Sequence, residues 1–117
     1  MTNHFNRLTE AEAERLAILI EECGEVTQAA CKILRHGYES TNPKAITPIE
    51  EDPETNRSAL ERELGDLLHA ARRLSDYDLN WINVEERAAS KPKRILPYLH
   101  HQPLPPETDG QSQEANK

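Results

Sequence analysis

The stretch Leu19-Ile20-Glu21-Glu22-Cys23-Gly24-Glu25-Val26 decides how this chain is read. It returns forty-one positions later as Leu60-Glu61-Arg62-Glu63-Leu64-Gly65-Asp66-Leu67. Aligning Ile18–Ala30 (ILIEECGEVTQAA) with Ala59–Ala71 (ALERELGDLLHAA) gives a shared pattern, L-x-x-E-x-G-[E/D]-[V/L]-x-x-A-A. A residue advances about 100° around an α-helix. With Glu22 at zero, Ile18, Ala29, Ile33, Val26, Leu19, Ala30, Cys23, Leu16 and Ile20 fill an arc from about −40° to about +160°. Glu22 lies inside that arc, Glu25 at its edge near −60°, and Glu21 on the polar side near −100°. Counting from Glu63 puts Ala59, Ala70, Leu74, Leu67, Leu60, Ala71 and Leu64 around it, with Asp66 again near −60°. Each helix therefore aims one carboxylate into a packed interface and one along its rim.

An ionised carboxylate among apolar groups must be paired, protonated or bound to a metal. Four converging acids repel one another, and a hard divalent cation such as magnesium, which takes carboxylate oxygens and keeps waters and phosphates, is the natural partner. A solvated helix face with ordinary i,i+4 acids accounts well for Glu10, Glu12 and Glu14. It accounts poorly for Glu22 and Glu63, whose neighbours on the helix wheel are apolar.

Glu21, Glu22 and Glu25 as E-E-x-x-E, then a loop, then Glu63 and Asp66 as E-x-x-D, resemble the MazG-like all-α nucleoside triphosphate pyrophosphohydrolases, most closely the short, phage-type members. The resemblance covers residues 10 to 100. It implies magnesium-dependent hydrolysis of a nucleoside or deoxynucleoside triphosphate to the monophosphate and pyrophosphate. Manganese is an alternative to magnesium. It also implies that Glu22, Glu25, Glu63 and Asp66 are the metal ligands, in agreement with the angular reading. Family members carry a lysine in their last helix near the triphosphate, and Lys91 is the best match. The loop between the motifs is longer here than in compact members, a departure that bears on substrate choice.

Composition narrows the alternatives. With 117 residues, 36% hydrophobic and 4% aromatic, the chain suits one helical domain (1–101) whose two long helices cannot cover themselves alone. The expectation is an all-α fold in which two long antiparallel helices pair with those of a second copy into a four-helix bundle, as a homodimer or homotetramer. A net charge of −7 argues against binding a nucleic-acid backbone. It does not exclude a polyphosphate met through a bound cation. Cys23 and Cys31, eight residues apart on one helix, cannot bridge each other there. They read as free, buried thiols of a reducing, cytoplasmic compartment. No long apolar run suggests secretion or a membrane span.

Along the chain, Phe5 and Leu8 are able to pack, and Thr9 is placed to cap a helix whose first turn is acidic. Periodicity holds from Leu16 to Leu34, and Gly37 is a natural terminator. Lys32, Arg35 and His36 fill the last turn, either to compensate the helix dipole or to contact phosphates. Residues 38–55 carry Pro43, Pro48 and Pro53, which exclude a continuous helix and suggest a lid or binding loop. The second helix starts either at Asp52-Pro53-Glu54 or at the capping box Ser58–Glu61, and runs to about Ser75. Beside that start Arg57 is either a surface arginine or a phosphate contact. Gly24 and Gly65 lie opposite the ligand arc, where lack of a side chain would admit another helix. A turn over 76–83 leads to a third helix capped by Asn83, interrupted or restarted at Pro92 and followed by a short helical piece. From Gln102 onward the tail (102–117) has too little apolar content to fold.

Two other functional classes compete. One is an acidic helical interaction module that keeps the fold without turnover. The other is a di-metal carboxylate oxidase or metal store, suggested by His69 three residues after Asp66, an E-x-x-H-like spacing. Gln28 stands at the matching place in the first copy, so the second histidine is missing. Glu21, the acid least suited to ligation, is the candidate for orienting a ligand or the attacking water.

Overall fold

Two long helices form because both copies of the motif carry the 3.6-residue apolar period and have a threonine at the point of entry. The structure, a computed structural model, describes residues 5–41 and 53–102. Helix α1 spans Glu10–His36, α2 Asn56–Tyr77 and α3 Trp81–Ile95, followed by a 3-10 turn over Leu96–Tyr98. The described residues form no strand beyond a single antiparallel bridge, Thr41 to Thr55. The fold of the described residues is all-α, and by packing they divide into two compact units, one ending at Leu79 and the other beginning at Asn80. Among the described residues no helix is long and apolar enough to cross a membrane.

The caps explain the boundaries. The Thr9 hydroxyl accepts from the Glu12 amide while the Glu12 carboxylate accepts from the Thr9 amide, a full capping box. At the other end Gly37 has φ +90°, a conformation that strains any L side chain, and its amide closes onto the Ile33 carbonyl. The start of α2 differs from both expected caps. Thr55 is the cap, accepting from the Ser58 amide at 3.1 Å. Thr55 prevails because its neighbours are tied across to the end of α1: the amides of Asn56 and Arg57 donate to the carbonyls of Ser40 and Tyr38, and the Asn56 side chain donates to the Gly37 carbonyl. The base of the long connection is thus pinned; its span over 42–52 lies outside the described residues, as does the tail beyond Gln102. Helix α2 runs two residues past the expected Ser75, to Tyr77.

Helix α3 starts earlier than expected. Asn80, not Asn83, is its cap, accepting from the Ile82 amide. Pro92 sits inside the helix without ending it. A proline there forfeits one amide hydrogen bond, and the chain continues to Ile95 before tightening into the 3-10 turn that contains Pro97. The expected 76–83 turn shrinks accordingly.

Helices α1 and α2 run antiparallel. At the closed end Gly37 meets Asn56. At the open end the Arg15 guanidinium grips both oxygens of Asp78 at 2.8 Å, lies 4.6 Å from the Tyr77 ring centroid, and holds the Asp78 carboxyl below its usual range. Between these ends the buried side chains are Ala29 from α1 and Glu63, Ala70 and Leu74 from α2. Leu19, Val26, Ala30, Ile33, Leu60, Leu67 and Ala71 are half-buried around them.

The apolar arc is only partly covered. Leu16, Ile20, Cys23 and Leu34 on α1, and Leu64 and Leu68 on α2, lie on its far flank and are exposed, Ile20 by 69% and Leu34 by 87%. Both cysteines are free and exposed on this chain, which corrects the expectation of buried thiols. Phe5 does not pack, being fully exposed. Gly24 and Gly65 face open space: beyond their own stretch of helix no atom of the described residues lies within 4 Å of an added Cβ, so the expected close approach is not made among the described residues.

Candidate metal centre

Antiparallel packing of two copies of one motif brings its inward carboxylates together. One oxygen from each of Glu22, Glu25, Glu63 and Asp66 lies within 4.8 Å of the others. Burial follows the helix-wheel reading: Glu63 is only 7% exposed, Glu22 and Glu25 are half-buried, and Asp66 is exposed at the rim. Glu21 is exposed and outside the group, as its angle requires. His69 is exposed and likewise outside it.

The electrostatics are those of a site short of positive charge. Glu22 Oε2 and Glu63 Oε2 are buried and have no hydrogen-bond partner among the described residues. Such oxygens are rare because an unpartnered buried acceptor keeps its full desolvation cost. Burial pushes the Glu22 carboxyl up, and the charges of Asp66, Glu63 and Glu21 add to the effect. Hydrogen bonding to Glu63, then the charges of Glu63 and Glu22, push Glu25 up to about 7. A proton retained on Glu25 is one remedy for the crowding, since a neutral carboxyl donates where a carboxylate cannot. A divalent cation is the other.

The donor set fits such an ion. Two oxygens on opposite sides of a cation at about 2.1 to 2.4 Å stand roughly 4.2 to 4.8 Å apart. The four oxygens therefore already occupy the span of one coordination shell, and all are the hard donors that magnesium, manganese and calcium take.

The basic residues sort differently from expectation. Lys32 is exposed near the end of α1, where its charge helps lower the Glu54 carboxyl. Arg35 is exposed in the last turn. Arg57 is committed to the loop base: its Nε donates to Glu39 at 2.7 Å and its guanidinium lies 4.4 Å from the Tyr38 ring centroid. Lys91 belongs to the second unit, on a face of α3 shared with Asn83, Arg87 and Arg94. Of the four expected phosphate contacts, the structure assigns Arg57 a different partner.

The basic residue that does reach the acids is Arg62. It donates from Nη1 to Glu63 Oε1, and from Nε and Nη2 to the two oxygens of Glu54 at 3.0 and 3.2 Å. Sequence reasoning passed over it because adjacent helical residues do not face each other. The available signal was a reversal of sign within the repeat, since Arg62 occupies the place that Glu21 holds in the first copy. Comparison with known protein families, curated proteins and solved structures finds no match to this chain.

Proposed function

We propose that the chain is a divalent-cation-dependent nucleoside triphosphate pyrophosphohydrolase, with magnesium the favoured ion and manganese a substitute. The observation that carries this reading is the convergence of Glu22, Glu25, Glu63 and Asp66 with two buried oxygens lacking any donor. The resemblance of the paired E-E-x-x-E and E-x-x-D motifs to the MazG-like enzymes supplies the substrate class. In this reading the four carboxylates hold the ion. When bound, it supplies the positive charge that lets an acidic cleft accept a triphosphate and that polarises the phosphorus under attack.

The side chains of this protein then have separable tasks. Glu63, the deepest acid, fixes the position of the ion, and Asp66 and Glu25 close the shell from the rim. Glu21 lies near enough for its charge to act on both Glu22 and Glu25, yet stays outside the cluster. That position suits a carboxylate that orients a water and takes its proton as the water oxygen bonds to the α-phosphorus. The bond from that phosphorus to pyrophosphate breaks in the same displacement. Lys32 and Arg35 stand on the exposed last turns of α1, where donors for the departing phosphates belong.

The bare flank formed by Ile20, Leu34, Leu64 and Leu68 supports assembly with a second copy, giving a four-helix bundle as a dimer or tetramer. Incubating the protein with magnesium and a panel of ribo- and deoxyribonucleoside triphosphates tests the activity. Release of pyrophosphate and monophosphate in equal amounts is expected. A protein that binds the metal and releases pyrophosphate from none of them is instead an acidic helical binding module.

A further inference from the structure

The ion pairs of Arg62 are unequal, and that inequality suggests a device. From the inner side one bond, Nη1 to Glu63 Oε1, ties the guanidinium to the deepest acid of the cluster. From the outer side two bonds tie it to both oxygens of Glu54. Glu63 is 9% exposed along its side chain, whereas Arg62 and Glu54 are 55% and 45% exposed. The inner partner is therefore held by packing, and the outer pair is half exposed to solvent. Meanwhile Glu63 Oε2 remains buried without a donor, so the single arginine bond leaves the carboxylate half satisfied. In the first copy of the motif the equivalent position is Glu21, an acid in place of the arginine.

We propose that Arg62 is an internal counter-cation that competes with the divalent metal for Glu63, and that Glu54 holds its guanidinium as the metal displaces it. A divalent ion held at Glu63 repels the guanidinium and weakens its one inner bond while the two outer bonds remain, so Arg62 is kept at the mouth of the site for whatever anion accompanies the metal. Arg62 is thus a positioning residue. The claim rests on the reading that the four carboxylates bind a divalent cation, but needs no nucleotide chemistry.

Calorimetric titration of the full chain with magnesium, and separately manganese, without substrate, tests it. Arg62→Met keeps the side-chain stem and removes the competitor, so the metal should bind about three- to tenfold tighter. Glu54→Gln leaves Arg62 with Glu63 alone, so binding should weaken by about threefold, and that effect should vanish in the Arg62→Met background. Lys32→Met removes a charge near Glu54 and should change affinity by less than about twofold. A brace with no part in metal binding predicts unchanged or weaker binding in Arg62→Met, and that result overturns the proposal. Equal tightening in Lys32→Met overturns it too, in favour of a general field effect. Absence of cation binding in both wild type and Arg62→Met removes the metal site and the exchange together. The expected affinities without pyrophosphate release from any nucleotide would leave the exchange standing and remove only the nucleotide reading.

Discussion

The two copies of the motif share a backbone pattern and differ in their electrostatics. In the first, Glu22 is half-buried and has an acid beside it at Glu21. In the second, Glu63 is buried and has Arg62 beside it, bonded to one of its oxygens. Packing shows the same imbalance: Leu74 of the second copy is 3% exposed, while its counterpart Ile33 is only half-buried. A repeat thus supplies symmetric ligands, while the residues between them decide which copy anchors the site and which stays open. The far flank is an exception, since Ile20 and Cys23 in one copy and Leu64 and Leu68 in the other are bare alike. In the proposed assembly this shared bare flank is the surface that a second copy would cover.

The packing contrast carries the largest expected effect. Leu74→Ala should cost about 2–5 kcal/mol of stability, and Ile33→Ala about half as much, because a half-buried side chain has less contact to lose. Chemical denaturation of the two variants checks this. Equal losses would show that a second copy buries Ile33 as deeply as this chain buries Leu74.

The ligand contrast comes next. Glu22→Gln, Glu63→Gln, Glu25→Gln and Asp66→Asn should each weaken magnesium binding by about a hundredfold or more, since even outer-shell changes cost about 10- to 100-fold. Without metal the copies should part company. Glu22→Gln relieves a crowded acid and should raise the melting temperature. Glu63→Gln also strips Arg62 of its inner partner, so it should raise it less. Glu21→Gln should leave metal affinity nearly unchanged and lower turnover. Loss of metal in Glu21→Gln as severe as in Glu22→Gln would refute the assignment of Glu21 to the outside of the shell.

The pH response sharpens the comparison further, because the neighbouring acids push Glu25 upward. Its folded pKa is raised to about 7, so between the ordinary glutamate range and about 7 the folded protein holds a proton that the unfolded chain has lost. Stability of the metal-free protein should therefore fall as pH rises through that window and level off above it. Magnesium must expel the same proton, so its affinity should climb by up to about tenfold per pH unit below 7 and flatten above. Both slopes should shrink in Glu25→Gln to the part contributed by Glu22, whose carboxyl is also pushed up by burial. The smallest effects belong to the caps. Thr9→Ala and Thr55→Ala should each cost about 1 kcal/mol, with the capping box making Thr9 the more costly loss.

Much of this was legible in the chain because periodicity and helix-wheel angles are local properties. The repeat was enough to separate Glu22 and Glu63 from Glu21, and to place Glu25 and Asp66 at the rim. Thr9 and Gly37 announce their roles because a cap depends on a few neighbouring residues. The choice of Thr55 over Asp52 or Ser58 depended on Ser40, Tyr38 and Gly37, whose carbonyls reach the start of α2 only once the hairpin has closed. Pro92 misled because a proline's cost falls within what a helix can absorb when its neighbours favour helix. The partners of Arg57 and Arg62 were not legible for a similar reason. Which carboxylate an arginine reaches depends on how its long side chain lies in the folded chain, and spacing along the helix does not report that.

The most direct test of the central claim is calorimetric titration of magnesium into the wild-type protein above pH 7, repeated in buffers of different ionisation enthalpy. Saturable binding is expected, with little proton release above pH 7 and increasing release as the pH is lowered through Glu25's range. The melting temperature should rise with it, by an amount corresponding to about 2.7 kcal/mol at a hundredfold excess over Kd. A flat titration, with melting unchanged by magnesium or manganese, would contradict the account at its root.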